Sequence, residues 1–571
     1  MKNRLVSEIL FEIADLLDIK GEIFFKTRAY RMAAQTIETL DEDIEIISKE
    51  NRLQNIPGIG EALAKKIKEI VDTGKLEYLD KLKKEIPEGL LKFLEIPGLG
   101  PKKVSAIYKN FNITTIEELK KACKEGKLRN LDGFGQITEE NILRGINLKE
   151  KTSGRFMLNL AYDDGEGYLK YLKKSDKIDK VSIAGSLRRM KETIGDLDIL
   201  ASSRYPDDVM NYFVKYRDVK SVLLQGSTKT SVLLKDDLQV DLRVVDNSSY
   251  GAALQYFTGS KEHNVKLRSI AIKKGFKLNE YGVFDKKTDK YIVGKEEEEV
   301  YKKLGLKFIE PELRENQGEI EAAEKNSLPK LVKNDEIKGD FHVHSNYSDG
   351  FETIENIAKN AQRLGYEYVC IDDHSQSLKV ANGLSEKRVL SKIKEIEKIN
   401  KKLKNLKVLC GTECDIKPDG SLDYPDSILK KFDIVGIGIH TTFKMTKDEI
   451  TKRVVKGMEN KNVDFLAHPT CRLIGRREPF DLDIESVFDA AKQNDVLMEI
   501  NCFPDRLDLN DMHIKMAKEK GISFVLGTDS HSLEHMNFMK FGVATARRGW
   551  LEKKDILNTY SLKEVEKKLG L

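Results

Sequence analysis

Two clusters of residue types in this 571-residue chain could do chemistry on phosphate. In GSLRRMKETIGDLDIL (185–200), Asp196 and Asp198 stand two apart, so on a strand they share one face while Leu197 and Ile199 take the other. In LQVDLRVV, Asp241 and Arg243 occupy the polar face of a later strand. Three carboxylates converging on one place can mount two divalent cations. Phosphoryl transfer needs such a pair: one cation lowers the pKa of an attacking hydroxyl, and the other shields a leaving pyrophosphate. Gly185 and Ser186 would offer N–H and hydroxyl donors to a triphosphate, and Arg189 adds charge there. A DxD pair alone is common at exposed strand ends. The Gly-Ser turn ten residues before it, and the third aspartate on a later strand, make it a candidate site.

The second cluster is histidine-rich. GDFHVHSNYSDG (339–350) puts His342 and His344 on one strand face, with Asp349 in the loop beyond. Six more apolar runs end in polar residues: YVCIDDHS with His374, KVLCGTEC with Glu413, IVGIGIHTT with His440, FLAHPT with His468, VLMEINC with Glu499 and Asn501, and FVLGTDSH with Asp529 and His531. Seven strand-like segments with their polar residues at the C-terminal ends, mostly separated by helical segments, are how a β/α barrel builds a site. Neutral imidazole with carboxylate suits Zn, Mn or Fe. Nine candidate ligands exceed what one ion can use, so two or three ions bridged by a carboxylate are expected. His513 and His535 fall outside the pattern and are expected at the surface. Arg472, Arg476 and Arg477, in TCRLIGRREPF, could hold a substrate phosphate or lie in a solvated loop.

These sites need elements to position them. After residue 150, short β-rich runs (KVSIAGS, DLDILAS, SVLLQGS, SVLLKDDLQVDLRVV) alternate with helical segments, an α/β or α+β reading. Before residue 150 the periodicity is helical throughout, and a repeat is present. IPGIGEALAKKIKEI (56–70) and IPGLGPKKVSAIYKN (96–110) each place Pro-Gly-x-Gly ahead of a lysine-bearing helix, and LDGFGQITEENILRGI (131–146) is a weaker third copy. The glycines permit a tight turn and leave backbone N–H groups free at a helix N-terminus, a ready phosphate site that reads backbone and not sequence. Gly58, Gly60, Gly98 and Gly100, with Lys66 and Lys102, are the candidate DNA contacts. The histidines mark a boundary: His263 alone precedes residue 340 and the other eight follow. Between the halves, ENQGEIEAAEKNSLPKLVKNDEIKGD reads as a charged linker with at least one helical turn.

Composition excludes several classes. There is no run of 18 apolar residues to cross a membrane. The N-terminal stretch is an amphipathic helix with acidic residues and no small-residue cleavage site, unlike a signal peptide. Six cysteines without a CxxC pair make no disulfide framework and are expected as reduced core thiols. A cytoplasmic, monomeric, multidomain protein is expected, with no membrane partner. The net charge of +4 is small, and only residues 151–315 show a basic excess, 31 basic to 26 acidic groups. A nucleic-acid substrate would therefore be held by local geometry rather than by a global field.

TRAYRMAAQTI, IPGIG, IPGLG, GSLRRMKETIGDLDIL, YFTGSKEHNVKLR and KGFKLNEYGVF occur in an order and spacing that resembles the family X DNA polymerases of the polymerase beta type, over residues 1–315. The resemblance implies that Asp196, Asp198 and Asp241 hold two Mg2+ or Mn2+ ions. It implies that Gly185, Ser186, Arg189 and Gly195 contact a dNTP triphosphate, that Tyr256, Phe257 and Gly259 border its sugar, and that Asn264 and Arg268 face the nascent base pair and template. Departures are Gln239, where the beta pattern has an arginine beside its third aspartate, and Lys261 and Val265 in the base-pair pocket. Lys66 falls on the position of that family's 5′-deoxyribose phosphate lyase nucleophile. Lys26 and Tyr30 match its surroundings, but Phe25, Gln54, Ala62 and Tyr78 replace a histidine and three lysines, so an ordinary phosphate-binding role competes with the lyase.

The histidine-rich half resembles a PHP domain, a seven-stranded barrel with a trinuclear Mn2+, Zn2+ or Fe site. By that resemblance one ion would take His342, His344, Glu413 and Asp529, a second Glu413, His440 and His468, and a third Asp349, His374 and His531. The expected architecture is a lyase-like helical domain with the first hairpin (1–85), a second helical hairpin domain (86–150), a nucleotidyltransferase palm (151–247), a thumb (248–315), a linker (316–338) and a distorted seven-stranded (β/α) PHP barrel (339–571). The order matches family X polymerases that carry a C-terminal PHP domain. It implies gap-filling repair synthesis on gapped or nicked duplex DNA, and a metal-dependent 3′-5′ exonuclease acting on 3′ ends, with AP endonuclease or 3′-phosphatase as further possibilities. The rival readings are a non-templated nucleotidyltransferase and a small-molecule phosphatase with a DNA-binding arm.

Overall fold

The computed structural model describes residues 2–571 apart from Gly21, Ile23, Thr39, Asp41, Glu42, Glu88, Glu95, Pro97, Gly98 and Ser153. The chain divides into two units, residues 1–153 with 473–478, and residues 154–472 with 479–571.

Among the described residues, 1–153 contain helices and no strand. The helix Glu61–Thr73 shows why. Ala64, Ile67, Ile70 and Val71 recur at helical spacing and are buried, while lysines and glutamates take the other face. Gly74, at φ 73°, stops it by donating its N–H back to the Ile70 carbonyl. The buried stripe joins a core with Leu10, Ile13, Leu17, Phe93, Val104 and Ile107. Pro101 opens the next hairpin's helix, Pro101–Phe111, where its missing N–H costs nothing.

In the second unit, β1 (Phe156–Met157) pairs with β3 (Thr193–Ile194). A five-stranded palm sheet is built from β2 (Lys180–Ile183), β4 (Leu197–Ser202), β5 (Val219–Gln225), β6 (Lys229–Leu234) and β7 (Gln239–Val245), in the order β2-β4-β7-β6-β5. β4 and β7 run parallel, and Asp198 and Asp241 are direct register partners. The thumb has the helix Lys261–Lys273, the antiparallel strands β8 (Phe276–Asn279), β9 (Gly282–Asp285) and β10 (Tyr291–Val293), and the helix Glu297–Lys303. Residues 316–338 pack rather than dangle. Their helix Glu319–Glu324 sends Ile320 and Ala323 into the thumb core, and the Val332 N–H donates to the Leu551 carbonyl.

The barrel strands are β11 (Gly339–Val343), β12 (Tyr368–Ile371), β13 (Lys407–Asp415), β14 (Ile434–Gly438), β15 (Phe465–Leu466), β16 (Leu497–Asn501) and β17 (Phe524–Gly527). They pair in sequence order, all parallel. The ends meet where Val343 bridges Ser530, the His344 N–H donating to the Ser530 carbonyl and the Asp529 N–H to the His342 carbonyl, both at 2.8 Å. Helices separate the strands, so the connections are βαβ units and every strand is buried. This is the α/β barrel expected from the seven polar-ended runs. All six cysteines are buried and none forms a disulfide among the described residues.

Candidate active sites

In the palm, Asp198 and Asp241 stand on neighbouring parallel strands and Asp196 on the bend just before β4. Each offers one oxygen, and these oxygens lie within 4.8 Å of one another. Glycine is required at 185: its φ is +59°, and a Cβ there would sit 2.1 Å from Asp198 Oδ2. Burial, then the charges of Asp196 and Asp241, push the Asp198 carboxyl up to about 7. Asp241 goes the other way. Burial raises it, but hydrogen bonds from Lys229, Gln239 and Ser231 outweigh that and hold it below the usual carboxylate range. Lys229 Nζ lies 2.5 Å from Asp241 Oδ2 and Gln239 Nε2 2.9 Å from Oδ1. The cation that an arginine at 239 would provide thus comes from the adjacent strand β6.

A cavity of about 470 Å³ opens beside the carboxylates. Gly185, Ser186, Arg189, Gly195, Tyr256, Phe257, Gly259, Asn264 and Arg268 all line it. The Asn264 amide is tied down, donating to the Tyr256 carbonyl and accepting from Gln255, both at 2.7 Å. Arg155, Lys191, Thr258 and Lys261 line it too. Sequence reasoning missed Arg155. It is fixed by donating to the Thr193 hydroxyl and carbonyl, a contact across 38 residues that no local pattern announces.

The barrel brings all nine expected ligands together at the C-terminal ends of its strands. Glu413 divides its oxygens. Oε1 lies 2.8 Å from His440 Nε2 and 2.6 Å from His468 Nε2, while Oε2 lies 3.4 Å from His342 Nε2 and 3.7 Å from His344 Nε2. Asp529 Oδ1 is 3.2 Å from His344 Nε2. Asp349 Oδ2 is 3.4 Å from His531 Nε2 and 3.6 Å from His374 Nε2. The Nε2 pairs His342–His344 and His440–His468 approach to 3.1 and 3.3 Å. Two nitrogens each about 2.1 Å from one ion would stand roughly 3.0–3.4 Å apart. His344 Nδ1 and Asp349 Oδ1 are buried without hydrogen-bond partners, a costly arrangement for any group without a ligand. The chemistry of the donor set therefore fits divalent cations.

A second layer orients these donors. Glu499 Oε1 takes His342 Nδ1 at 2.7 Å, and its other oxygen accepts the His468 N–H. Asp415 accepts the His440 N–H at 2.9 Å, and Asn501 donates to Asp529 at 3.0 Å. Burial opposes a charge on His440, His468 and His531. In His440 and His531 the neighbouring carboxylates win and lift the ring to about 9, whereas His468, beside Arg506, falls to about 4. Arg506 had no sequence signal. Its Nε lies 3.1 Å from Asp529 Oδ2 and its Nη1 is buried without a hydrogen-bond partner.

Two expectations are corrected. His513 and His535 are half-buried rather than at the surface. His535 accepts the His531 N–H at 3.3 Å and stacks on Phe538, and His513 meets the Phe488 ring edge-on. Aromatic neighbours cover both, Phe488 at His513 and Phe503 and Phe538 at His535. Arg472 is not free for a phosphate. It is buried and spends its donors on the Arg506 and Leu507 carbonyls and on Glu192.

In the helical unit, Gly58 has φ 82°, and Gly60 and Gly100 are the N-cap residues of the two hairpin helices, with open space where a Cβ would stand. Gly133, at φ 74°, repeats the turn in the third copy. Gly98 lies outside the described residues. Lys102 is exposed. Lys66 Nζ sits 5.0 Å over the Tyr78 ring, which stacks on Tyr30 at 6.3 Å.

Family models match along the chain: a helix-hairpin-helix domain at residues 1–76, a SAM-like helix-hairpin-helix tandem at 90–147, a DNA polymerase beta thumb at 253–315 and a PHP domain at 340–503. The chain is 40% identical over 568 residues to the DNA polymerase/3′-5′ exonuclease PolX of Bacillus subtilis (strain 168), covering 99% of each. It is 27% identical over 256 residues to a probable phosphatase of Thermoanaerobacter sp. (strain X514), over 40% of this chain and 96% of that protein. A probable phosphatase of Acetivibrio thermocellus is 32% identical over 201 residues, over 34% of this chain and 78% of its own. With a full-length relative at that identity, and with thumb and barrel both matched, the chain belongs to the family X DNA polymerases that carry a C-terminal PHP domain.

Proposed function

We infer that this chain is a DNA-directed DNA polymerase that fills gaps in repair, and that its barrel is a 3′-5′ exonuclease that trims the ends the palm extends. The observation that carries the reading is the palm wall. Asp196 and Asp198, clustered with Asp241, border a cavity whose other sides present Arg155, Arg189, Lys191 and Arg268. That is one anionic mount for cations beside one cationic cradle for a triphosphate. In this reading residues 1–85 and 86–150 grip gapped or nicked duplex DNA through Gly58, Gly60, Gly100, Lys66 and Lys102. Residues 151–247 form the palm, 248–315 the thumb and 339–571 the barrel, and the chain acts as a monomer.

Both chemistries depend on divalent metal ions. Asp196, Asp198 and Asp241 would hold two Mg2+ or Mn2+; His342, His344, Asp349, His374, Glu413, His440, His468, Asp529 and His531 would hold two or three Mn2+, Zn2+ or Fe ions. Bound there, the ions supply Lewis acidity, making a hydroxyl or water a better nucleophile at neutral pH and neutralising charge on phosphate oxygens. The chain's own groups do the rest. Ser186, Arg189 and the Gly185 and Gly195 backbone hold the triphosphate. Tyr256, Phe257 and Gly259 border the sugar, and Asn264 and Arg268 face the base pair. The primer 3′ oxygen then bonds to the α-phosphorus as the bond to pyrophosphate breaks. In the barrel, Arg506 offers its unpartnered Nη1 to the scissile phosphate as water cleaves the terminal phosphodiester.

The test uses a labelled one-nucleotide-gapped duplex with Mn2+. Asp198→Ala abolishes extension and spares 3′ trimming, and His344→Ala does the reverse. Wild-type chain that extends but never trims would remove the exonuclease assignment. The similarity of the barrel to probable phosphatases favours a second reading, 3′-phosphatase action at the same site. A primer ending in 3′-phosphate that is extended only when His344 is intact would establish it.

A further inference from the structure

The barrel touches Arg189, a wall residue of the polymerase cavity, through one shared carboxylate. Arg548 ends the helix Met539–Arg548 that follows the last barrel strand, and its side chain is 4% exposed. Its Nη1 donates to Glu315 Oε1 at 3.0 Å and to the Arg189 carbonyl at 2.8 Å. Its Nη2 pairs with Asp511. Arg189 Nε donates to the same Glu315 oxygen at 3.0 Å, and Arg189 Nη1 to the Thr258 carbonyl at 2.5 Å. Two guanidiniums, one from each half of this unit, therefore share one acceptor atom.

The sharing has a physical consequence. A buried guanidinium must be satisfied, and Arg548 meets that need by pinning both the backbone of residue 189 and the carboxylate that orients the Arg189 side chain. Lys191 Nζ also lies 3.9 Å from the shared Glu315 oxygen, and a carboxylate divided among these cations neutralises none fully, so Arg189 keeps charge for a ligand. Among the described residues Arg189 Nη2 makes no hydrogen bond to protein, and Arg189 lines the cavity. Without Arg548, Glu315 would lose its most buried partner and be free to pair more closely with Arg189 and draw it from the cavity, while the carbonyl of residue 189 would lose its side-chain donor.

We propose that Arg548 is a positioning residue for nucleotide binding: through Glu315 and the carbonyl of residue 189, the PHP barrel sets the Arg189 guanidinium against the dNTP triphosphate. The proposal rests on Arg189 being a triphosphate ligand, and the test separates the two. Steady-state extension of the gapped duplex by the full chain gives dNTP KM and kcat for wild type, Arg189→Ala, Arg548→Ala, Arg548→Lys and Arg189→Ala/Arg548→Ala. Trimming of the same 3′ end reports barrel integrity. Arg548→Ala raises KM about tenfold with kcat nearly unchanged and trimming intact, and Arg548→Lys recovers part of the loss. In the Arg189→Ala background, Arg548→Ala adds no more than about twofold, since both act through one contact.

An unchanged KM in Arg548→Ala beside a raised KM in Arg189→Ala overturns the proposal and leaves the ligand reading standing. An unchanged KM in Arg189→Ala sinks both. Multiplicative effects in the double variant also overturn it. Should Arg548→Ala lose trimming as well, Arg548→Lys decides: raised KM with trimming intact supports the proposal, and unchanged KM ends it.

Discussion

The two candidate sites solve the problem of holding cations in opposite ways. The barrel closes its donors in: Glu413, His342 and His344 are buried, and Glu499, Asp415 and Asn501 orient them from behind. The palm leaves Asp196 exposed on one side of an open cavity, and only Asp241 has a cationic partner within ion-pair distance among the described residues. The difference suits their tasks. A site that must admit a new triphosphate with its ions at each turnover is best left half-built. A site that cleaves whatever 3′ end arrives gains from ions that stay. Second-layer hydrogen bonds are what keep ions in place.

The strongest way to break the comparison is at the bridge. Glu413 touches both halves of the barrel cluster, so Glu413→Gln should cost more than one ion. Trimming is expected to fall about a thousandfold, with metal content after gel filtration reduced and gap-filling unchanged. Retention of the full metal complement would show that the barrel is held together by its histidines alone.

A smaller effect probes the palm. Lys229 is the cation on Asp241, and its removal leaves the third carboxylate with neutral donors only. Lys229→Met should lower extension about tenfold, the scale of one charge-assisted contact, and lose more as pH falls, because Asp241 no longer resists protonation. Gln239→Arg in that background should restore most of it, placing the charge on β7 instead of β6. Failure of the rescue would mean that Lys229 serves the DNA and not the aspartate.

Much of this was legible in the sequence, for a reason that also marks the limit. The barrel ligands, Asp349 in its loop apart, could be read because each lies at or just beyond the end of an apolar run, and a strand's C-terminal end is a local feature. The palm aspartates could be read from a two-residue spacing. Lys229 could not, since its approach to Asp241 depends on the β6–β7 register, in which Ser231 faces Asp241 and Lys229 is a diagonal neighbour. Arg155, Arg506 and Arg548 are cations on loops or helix ends, placed only by contacts far along the chain. Arg472, readable from its loop either as a phosphate ligand or as solvated, is buried, because it carries the carbonyls of 506 and 507. The polar composition of 316–338 hid Ile320 and Ala323, which are enough to dock a six-residue helix on the thumb.

The smallest predicted effect concerns stability. Asp198 is lifted to about 7 by burial and by its two neighbouring carboxylates, against 3.8 when unperturbed. The folded palm thus binds that proton more tightly than the unfolded chain does, so its charged form opposes folding. The opposition is full above pH 7, shrinks as pH falls from 7 towards 4, and is absent below. In metal-free protein, Asp198→Asn should therefore raise the melting temperature at pH 8 by about 2–4 °C and leave it unchanged near pH 4. Adding Mg2+ should reverse the order at pH 8, because the wild-type carboxylate then gains a partner that asparagine cannot hold as tightly. No such loop in the melting data would be expected of the barrel, where Glu413 is held well below the ordinary carboxylate range by the surrounding histidines despite its burial. Equal pH responses of Asp198→Asn and Glu413→Gln would erase the distinction between an open mount and a closed one.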